Sequence, residues 1–65
     1  MIMKATIFLT YLDDSEVCFN FECEEDKTSA LATLMMVCRG TLMASSAYKI
    51  CAYDEDGFDF CSYYK

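Results

Sequence analysis

Apolar and polar residues alternate over residues 3–23, which is the pattern of strands that bury one face. The apolar positions of this stretch are Met3, Ala5, Ile7, Leu9, Tyr11, Val17, Phe19, Phe21 and Cys23. They are interrupted by Asp13-Asp14-Ser15, whose residue types favour a turn. We therefore predict a β-hairpin with a three-residue loop. In the predicted register the facing pairs are Leu12 with Glu16, Leu9 with Phe19, and Ile7 with Phe21.

A longer period replaces this alternation in the middle of the chain and predicts an α-helix. The apolar residues that share one helical stripe are Leu31, Leu34, Met35, Cys38 and Leu42. Asp26 or Thr28 is suited to cap the first turn of this helix. Gly40 is typical of a left-handed helix end. Because the stripe continues to Leu42, a helix that ends near Ser45 is favoured.

Residues 48–62 return to the strand pattern around the loop Glu55-Asp56-Gly57. Glycine at the third loop position is typical of a three-residue hairpin loop with a bulge. The facing pairs would be Asp54 with Phe58, Ala52 with Phe60, and Ile50 with Ser62. The chain as a whole then reads β-β-α-β-β. This predicts an α+β fold in which one helix packs on one face of a four-stranded antiparallel sheet, with the strand order left open.

Length and composition indicate one small domain over residues 1–65. The hydrophobic fraction is 55%, enough for one thin core. No apolar stretch reaches the roughly 20 residues that span a bilayer, and residues 1–4 do not begin a secretory signal, so we expect a cytoplasmic protein. Five irregularly spaced cysteines without a histidine favour reduced thiols used as small apolar residues over a zinc site.

Charge is distributed unevenly along the chain, whose net charge is −6. By chain direction, the second predicted strand ends at the same end of the domain at which the second hairpin turns. Two of the three acidic runs therefore lie at that end, beside Lys4 and Lys27. The eight carboxylates of this end are Glu22, Glu24, Glu25, Asp26, Asp54, Glu55, Asp56 and Asp59. A single acidic turn is usually a solvated loop. Gathering like charges destabilises a small domain, so two converging runs favour a role in binding a basic partner.

The sheet face away from the helix is the second candidate surface. The pattern places on it Phe8, Tyr53, Tyr63, Cys51, Cys61, Thr6, Thr10, Asn20 and Lys49. Exposed aromatic groups beside acids are typical anchors for a protein partner, which makes Phe8 and Tyr53 candidate contact residues. Equally, they satisfy strand propensity or pair with a second copy. Cys51 and Cys61 are predicted to face each other across the second hairpin.

Motifs of catalysis and cofactor binding are missing from the sequence. There is no histidine for acid–base chemistry, no glycine-rich phosphate loop and no nucleophile elbow. Residues 54–59 have the acidity of a calcium loop, but Gly57 stands at the fourth position and Phe58 occupies a ligand place. We predict a protein that is not an enzyme and that holds no metal or cofactor.

The leading hypothesis is an inhibitor that occupies a basic nucleic-acid channel. Lysine and arginine residues that are placed to bind phosphates can also bind carboxylates at similar spacing. An anionic chain is itself repelled by nucleic acid and by acidic membranes, so neither is an expected partner. The expected partner is a basic nucleic-acid-binding protein, met by a monomer of this chain.

In its size, acidity, β-β-α-β-β layout and lack of catalytic residues, the chain resembles the small acidic anti-CRISPR proteins of phages and mobile elements. It looks most like the members that mimic DNA against type I surveillance complexes, possibly type I-C. The resemblance implies a Cascade subunit that reads the protospacer-adjacent motif as the partner, in the host bacterial cytoplasm. These proteins share no common motif, so it transfers no functional residue.

Two other functions fit the same composition. An adaptor or antitoxin-like module would use identical charge against a basic protein that binds no nucleic acid. A homodimeric structural module would bury the open sheet faces and keep the acid for solubility.

Overall fold

A computed structural model describes residues 2–65 as a sheet of four antiparallel strands with one helix on one face. The elements are β1 (Met3–Thr10), β2 (Glu16–Cys23), α1 (Lys27–Ala44), β3 (Lys49–Tyr53) and β4 (Asp59–Tyr64). The predicted α+β architecture is confirmed. The strand order is β2-β1-β3-β4, so the two hairpins join through β1 and β3 at the centre of the sheet.

The core lies between α1 and the central strands. Its fully or nearly fully buried members are Ala5, Ile7, Leu9, Leu34, Cys38, Leu42, Ala47, Ile50 and Ala52. The helix packs mainly on β1, β3 and β4. As a result β2 lies beside the helix rather than beneath it, and Val17 on the helix side of β2 is 48% exposed.

The first hairpin closes one residue earlier than its turn composition predicts. The Tyr11 N–H donates to the Ser15 carbonyl at 2.9 Å, which makes the loop Leu12-Asp13-Asp14. Asp14 takes the left-handed conformation with φ 68°, and the Asp13 carboxylate accepts the Ser15 N–H at 3.0 Å. Aspartate tolerates that conformation better than most residues, so the loop forms without a glycine to mark it.

This loop shifts the predicted strand register by two residues. The predicted pairs Leu12 with Glu16, Leu9 with Phe19 and Ile7 with Phe21 are wrong. Leu9 faces Val17, Ile7 faces Phe19, Ala5 faces Phe21 and Thr10 faces Glu16. Because side chains alternate with a period of two, a shift of two leaves every apolar residue on its predicted face.

The helix has the bounds that the longer of the two alternatives predicts. Asp26 is the N-cap, and its side chain accepts the Ser29 N–H at 3.3 Å. Gly40 lies inside the helix, which ends at Ala44. The N–H of the C-cap Ser45 donates to the Leu42 carbonyl at 3.3 Å. Within residues 2–65, no helical segment combines the length and apolarity that crossing a membrane requires.

The second hairpin has the predicted loop, and β4 carries a further bulge beyond the loop that the sequence does not predict. Asp54 faces Phe58 through an N–H to carbonyl bond of 2.9 Å, and Gly57 is left-handed with φ 88°. Beyond the loop the register shifts between Ala52 and Tyr53. The predicted pairs of Ala52 with Phe60 and Ile50 with Ser62 are therefore wrong. An extra residue in β4 places Cys61 opposite Ala52 and Tyr63 opposite Ile50.

Because of the bulge, two residues that were predicted on the open face, Cys61 and Tyr63, lie on the helix side; for them the prediction is wrong. Cys61 and Tyr63 pack against the core on the helix side, and the Arg39 guanidinium lies 5.8 Å from the Tyr63 ring centre. Cys51 faces Ser62 rather than Cys61. The two thiols predicted to face each other thus belong to opposite faces of the sheet.

Candidate acidic interface

The start of β1, the start of α1 and the β3–β4 loop meet at one end of the molecule. There they line an open cleft, called here the acidic cleft. Its carboxylates are Glu25, Asp54, Glu55 and Asp56, its cations are Lys4 and Lys27, and its apolar lining is Ile2, Met3 and Phe60. The chain direction explains the grouping: β2 leads into the helix at the end where the second hairpin turns.

A second, smaller hollow adjoins the acidic cleft along β1 and β2. Glu22 and Glu55 line it together with Lys4, Thr6 and Asn20. Glu55 and Lys4 belong to both depressions. The second and third acidic runs are thus brought to the same end of the fold, as the sequence predicts. In sequence they are far apart, with 31 positions from Glu24 to Glu55.

The cations at this end leave the acidic surplus in place. The acidic runs at this end contain eight carboxylates, and the nearby cations are Lys4 and Lys27. Among residues 2–65, no lysine or arginine nitrogen lies within 4.0 Å of a carboxylate oxygen. The end therefore keeps a negative field that extends into solvent.

Three of these carboxylates also stabilise local structure. Asp54 Oδ1 accepts the N–H groups of Asp56 and Phe58, both at 2.9 Å. Asp26 caps the helix, and Glu25 Oε1 accepts from Cys23 Sγ at 3.3 Å and Thr33 Oγ1 at 3.4 Å. These bonds fix where the three charges point before any partner arrives.

The remaining acids differ in their distance from the cleft. Glu55 and Asp56 are exposed at its rim, and Glu22 is exposed in the adjoining hollow. Glu24 and Asp26 are exposed but line neither depression. Asp59 begins β4 opposite Tyr53, on the open face of the sheet. As partner-binding residues all eight remain predictions.

The open face carries Phe8 and Tyr53 as predicted, and Tyr53 directly precedes Asp54 of the acidic loop. The rings of Phe8 and Tyr53 meet edge to face, with centres 5.7 Å apart. Together with Lys49 they cover Cys51, which is 5% exposed although it points away from the helix. A hydrogen bond with Cys51 raises the pKa of Tyr53.

A third aromatic residue on this face is missed by the sequence pattern. The Lys49 Nζ lies 5.5 Å from the centre of the Tyr64 ring, a cation–π arrangement. The charge of Cys51, followed by that of Tyr64, raises the pKa of Lys49. Only the bulge in β4, which carries no glycine or proline signal, turns Tyr64 to this face.

The cysteine thiols on the helix side of the sheet are expected to react slowly. Burial raises the pKa of Cys38 to about 12, with further contributions from Cys61 and Cys51. Burial also raises the pKa of Cys61. Both thiols are thus protonated near neutral pH, and the thiolate is the reactive form. Within residues 2–65, no group of three or more cysteine, aspartate or glutamate side chains is arranged to hold a metal ion.

Comparison with protein-family models, with curated proteins and with solved structures finds no match to this chain.

Proposed function

We propose that this protein is a non-enzymatic inhibitor whose acidic end mimics the phosphates of DNA. Its target would be a basic DNA-binding surface, in a type I CRISPR surveillance complex. The observation that carries the proposal is the meeting of two acidic runs around the acidic cleft and the hollow beside it.

Phosphate-binding surfaces recognise an array of negative charge rather than a single anion. DNA-binding proteins place several lysine and arginine side chains along the backbone, and each neutralised phosphate adds affinity. Glu22, Glu25, Asp54, Glu55 and Asp56 offer such an array from two separate segments of the chain. Because Asp54 and Glu25 are held by hydrogen bonds, less ordering entropy is lost when they bind.

Apolar contact can add binding energy to that of the charged groups. Phe8 and Tyr53 lie on the open face, and Tyr53 directly precedes the acidic loop at Asp54. Burial of aromatic rings is a frequent source of binding energy at protein interfaces. A partner that covers the acidic end and this part of the open face would therefore be held by both charge and apolar contact.

The choice of a CRISPR target follows from the resemblance to small acidic anti-CRISPR proteins. Within such a complex, the subunit that reads the protospacer-adjacent motif contacts duplex DNA before strand separation. Its DNA-contacting surface is therefore the place where a duplex mimic competes most directly.

Charge neutralisation with matched controls tests the role of the acidic end. Glu55→Gln with Asp56→Asn removes two charges from the cleft rim without changing side-chain size. Asp14→Asn with Glu16→Gln removes two charges from the other end. If each lost contact costs about 1 kcal/mol, the first pair weakens binding to a purified type I complex by roughly tenfold or more, whereas the second changes it less than about twofold. Surface plasmon resonance measures both.

A competition experiment identifies the surface that is occupied. Duplex DNA carrying the target motif should displace the bound protein, and affinity should fall with salt because charge contacts dominate. Equal losses from the two variant pairs would contradict a one-ended interface. Binding that persists in saturating duplex would favour an adaptor-like module that binds elsewhere.

A further inference from the structure

The strand β2 forms one edge of the sheet, and among residues 2–65 no other strand pairs with its outer side. Its eight residues, EVCFNFEC, include no proline, glycine, lysine or arginine. Its pairing with β1 runs without a bulge. An edge strand without a bulge or proline invites pairing with a further strand. The opposite edge, β4, is interrupted by its bulge.

Backbone geometry identifies which groups of β2 point outward. Tyr11 and Ser15 form a hydrogen-bonded pair, and bonded pairs alternate along an antiparallel ladder. Val17, Phe19 and Phe21 therefore bond to β1. The residues whose N–H and C=O groups face the free edge are Glu16, Cys18, Asn20 and Glu22. The Thr10 carbonyl accepts from Tyr48 on the β3 side, which fits this alternation.

An apolar row accompanies this edge. Val17, Phe19, Phe21 and Cys23 point to the helix side of the sheet. The helix packs on the other three strands. Val17 is 48% exposed, and Phe19 and Phe21 are half-buried. A neighbouring strand with its own apolar row on the same side would cover them.

The strand β2 is complementary to itself about Asn20. When two copies pair antiparallel with Asn20 at the two-fold axis, Phe19 lies opposite Phe21 and Val17 opposite Cys23. Cys18 then faces Glu22, so no two carboxylates within β2 lie opposite each other. A register centred on Phe19 would instead set Glu16 against Glu22 twice, and like charges directly opposite are destabilising.

We propose that two copies of this chain pair through their β2 edges, centred on Asn20, to form a continuous eight-stranded sheet. The outward groups of Cys18, Asn20 and Glu22 then make about six backbone hydrogen bonds across the axis. Phe19 and Phe21 of both copies form a shared apolar cluster. Because α1 lies over the other strands, the two helices leave this cluster room.

Antiparallel pairing also keeps the two acidic ends apart. The acidic cleft of one copy lies at one end of the joined sheet and that of the second copy at the other, so both stay accessible. Residual repulsion remains where Glu16 approaches Glu24 of the second copy just beyond the strand. Dimerisation should therefore strengthen with salt, whereas binding of the acidic cleft to a basic target weakens.

Mass measurements on edge variants test the dimer. Multi-angle light scattering and sedimentation should give twice the 7.4 kDa chain mass at micromolar concentration. The dissociation constant of the dimer should fall roughly fivefold between about 0.1 M and about 1 M NaCl, because salt screens the repelling charges. Asn20→Pro removes one outward N–H without removing a bond to β1, and should weaken the dimer by about tenfold or more.

The free edge of β4 supplies a matched control. Lys65 bonds to Tyr48, so alternation directs the Ser62 N–H outward as well. Ser62→Pro should leave the dimer intact. Circular dichroism checks that both variants keep their fold. A wild-type mass that stays monomeric at every concentration and salt overturns the proposal, as does equal weakening by folded Asn20→Pro and Ser62→Pro.

Disulfide crosslinking tests the register. At the axis the two Asn20 Cα atoms lie about 5.5 Å apart, within disulfide range. Cys18→Ser with Asn20→Cys should therefore crosslink with oxidised glutathione, which is reduced to two thiols as the disulfide forms. Cys18→Ser alone should not. Failure of the double variant to crosslink overturns the register centred on Asn20. Target binding is measured separately, so either proposal can fail while the other stands.

Discussion

Carboxylates in this chain differ in what their oxygens contact, which decides how they can be tested. Asp13, Asp26 and Asp54 accept backbone N–H groups at turns and at the helix start. Glu55 and Asp56 are exposed at the rim of the acidic cleft. Replacing Asp26 would remove a helix cap worth about 1 kcal/mol together with a charge. Glu55 and Asp56 therefore give the cleaner measure of charge alone.

Cys38 shows how strongly one buried residue constrains the core. Its side chain is fully buried in the cluster between helix and sheet. Cys38→Ser replaces a weakly polar thiol with a hydroxyl that needs hydrogen bonds, and we expect a loss of about 1–3 kcal/mol in the free energy of unfolding. Urea denaturation measures the change. Cys18→Ser on the exposed outer face should change stability by less than about 0.5 kcal/mol. Equal effects would contradict the burial difference.

At the scale of elements, the two glycines have opposite requirements. Gly57 is left-handed with φ 88°, so Gly57→Ala is strained and should destabilise by about 1 kcal/mol. Gly40 lies inside α1 and a Cβ there would meet nothing within 4 Å, so Gly40→Ala should stabilise by about 1 kcal/mol. Thermal unfolding of the two variants should shift in opposite directions. Destabilisation by Gly40→Ala would imply that the helix ends before Ala44.

The same glycines show why one hairpin was predictable and the other was not. Gly57 marks the left-handed position of its loop, so the loop from Glu55 to Gly57 follows from composition. In the first hairpin Asp14 takes that conformation, and aspartate signals a turn without fixing which loop position it fills. The two-residue error in register left the buried face unchanged because the side-chain period is two.

The bulge in β4 had a larger consequence because it shifts the register by one residue. Nothing in the run Phe58-Asp59-Phe60-Cys61 marks where an extra residue enters. Cys61 and Tyr63 therefore fall on the opposite face from the predicted one. Phe8 and Tyr53 keep their predicted face because the extra residue is in β4 and not in their own strands. The convergence of the acidic runs needed only chain direction. Which carboxylates line the cleft depended on side-chain placement in three dimensions.

At the scale of the whole molecule, shape separates the charges. The principal extents are 37 × 21 × 15 Å, and the screening length in about 0.1 M salt is about 10 Å. Charges at opposite ends of the long axis therefore hardly interact, whereas those around the acidic cleft repel one another. The cost of the net charge is concentrated in the region proposed to bind a partner.

Salt should reveal this cost in the unfolding of the free protein. Raising NaCl from about 0.1 M to about 1 M shortens the screening length to about 3 Å, and we expect the melting temperature to rise by about 4 °C. Glu55→Gln with Asp56→Asn should flatten this dependence, because the repelling charges are already gone. Asp14→Asn with Glu16→Gln should leave it nearly unchanged.

Because salt is also expected to favour the β2-edge dimer, the melts are best compared in an Asn20→Pro background, where pairing is weakened. A salt response that both charge pairs reduce equally would place the repulsion across the whole surface rather than at one end. The carboxylates that make the free protein less stable at low salt are the ones whose binding to a basic target should be strongest there. Removing Glu55 and Asp56 should thus raise stability and lower affinity together, as expected of charges kept for recognition rather than for folding.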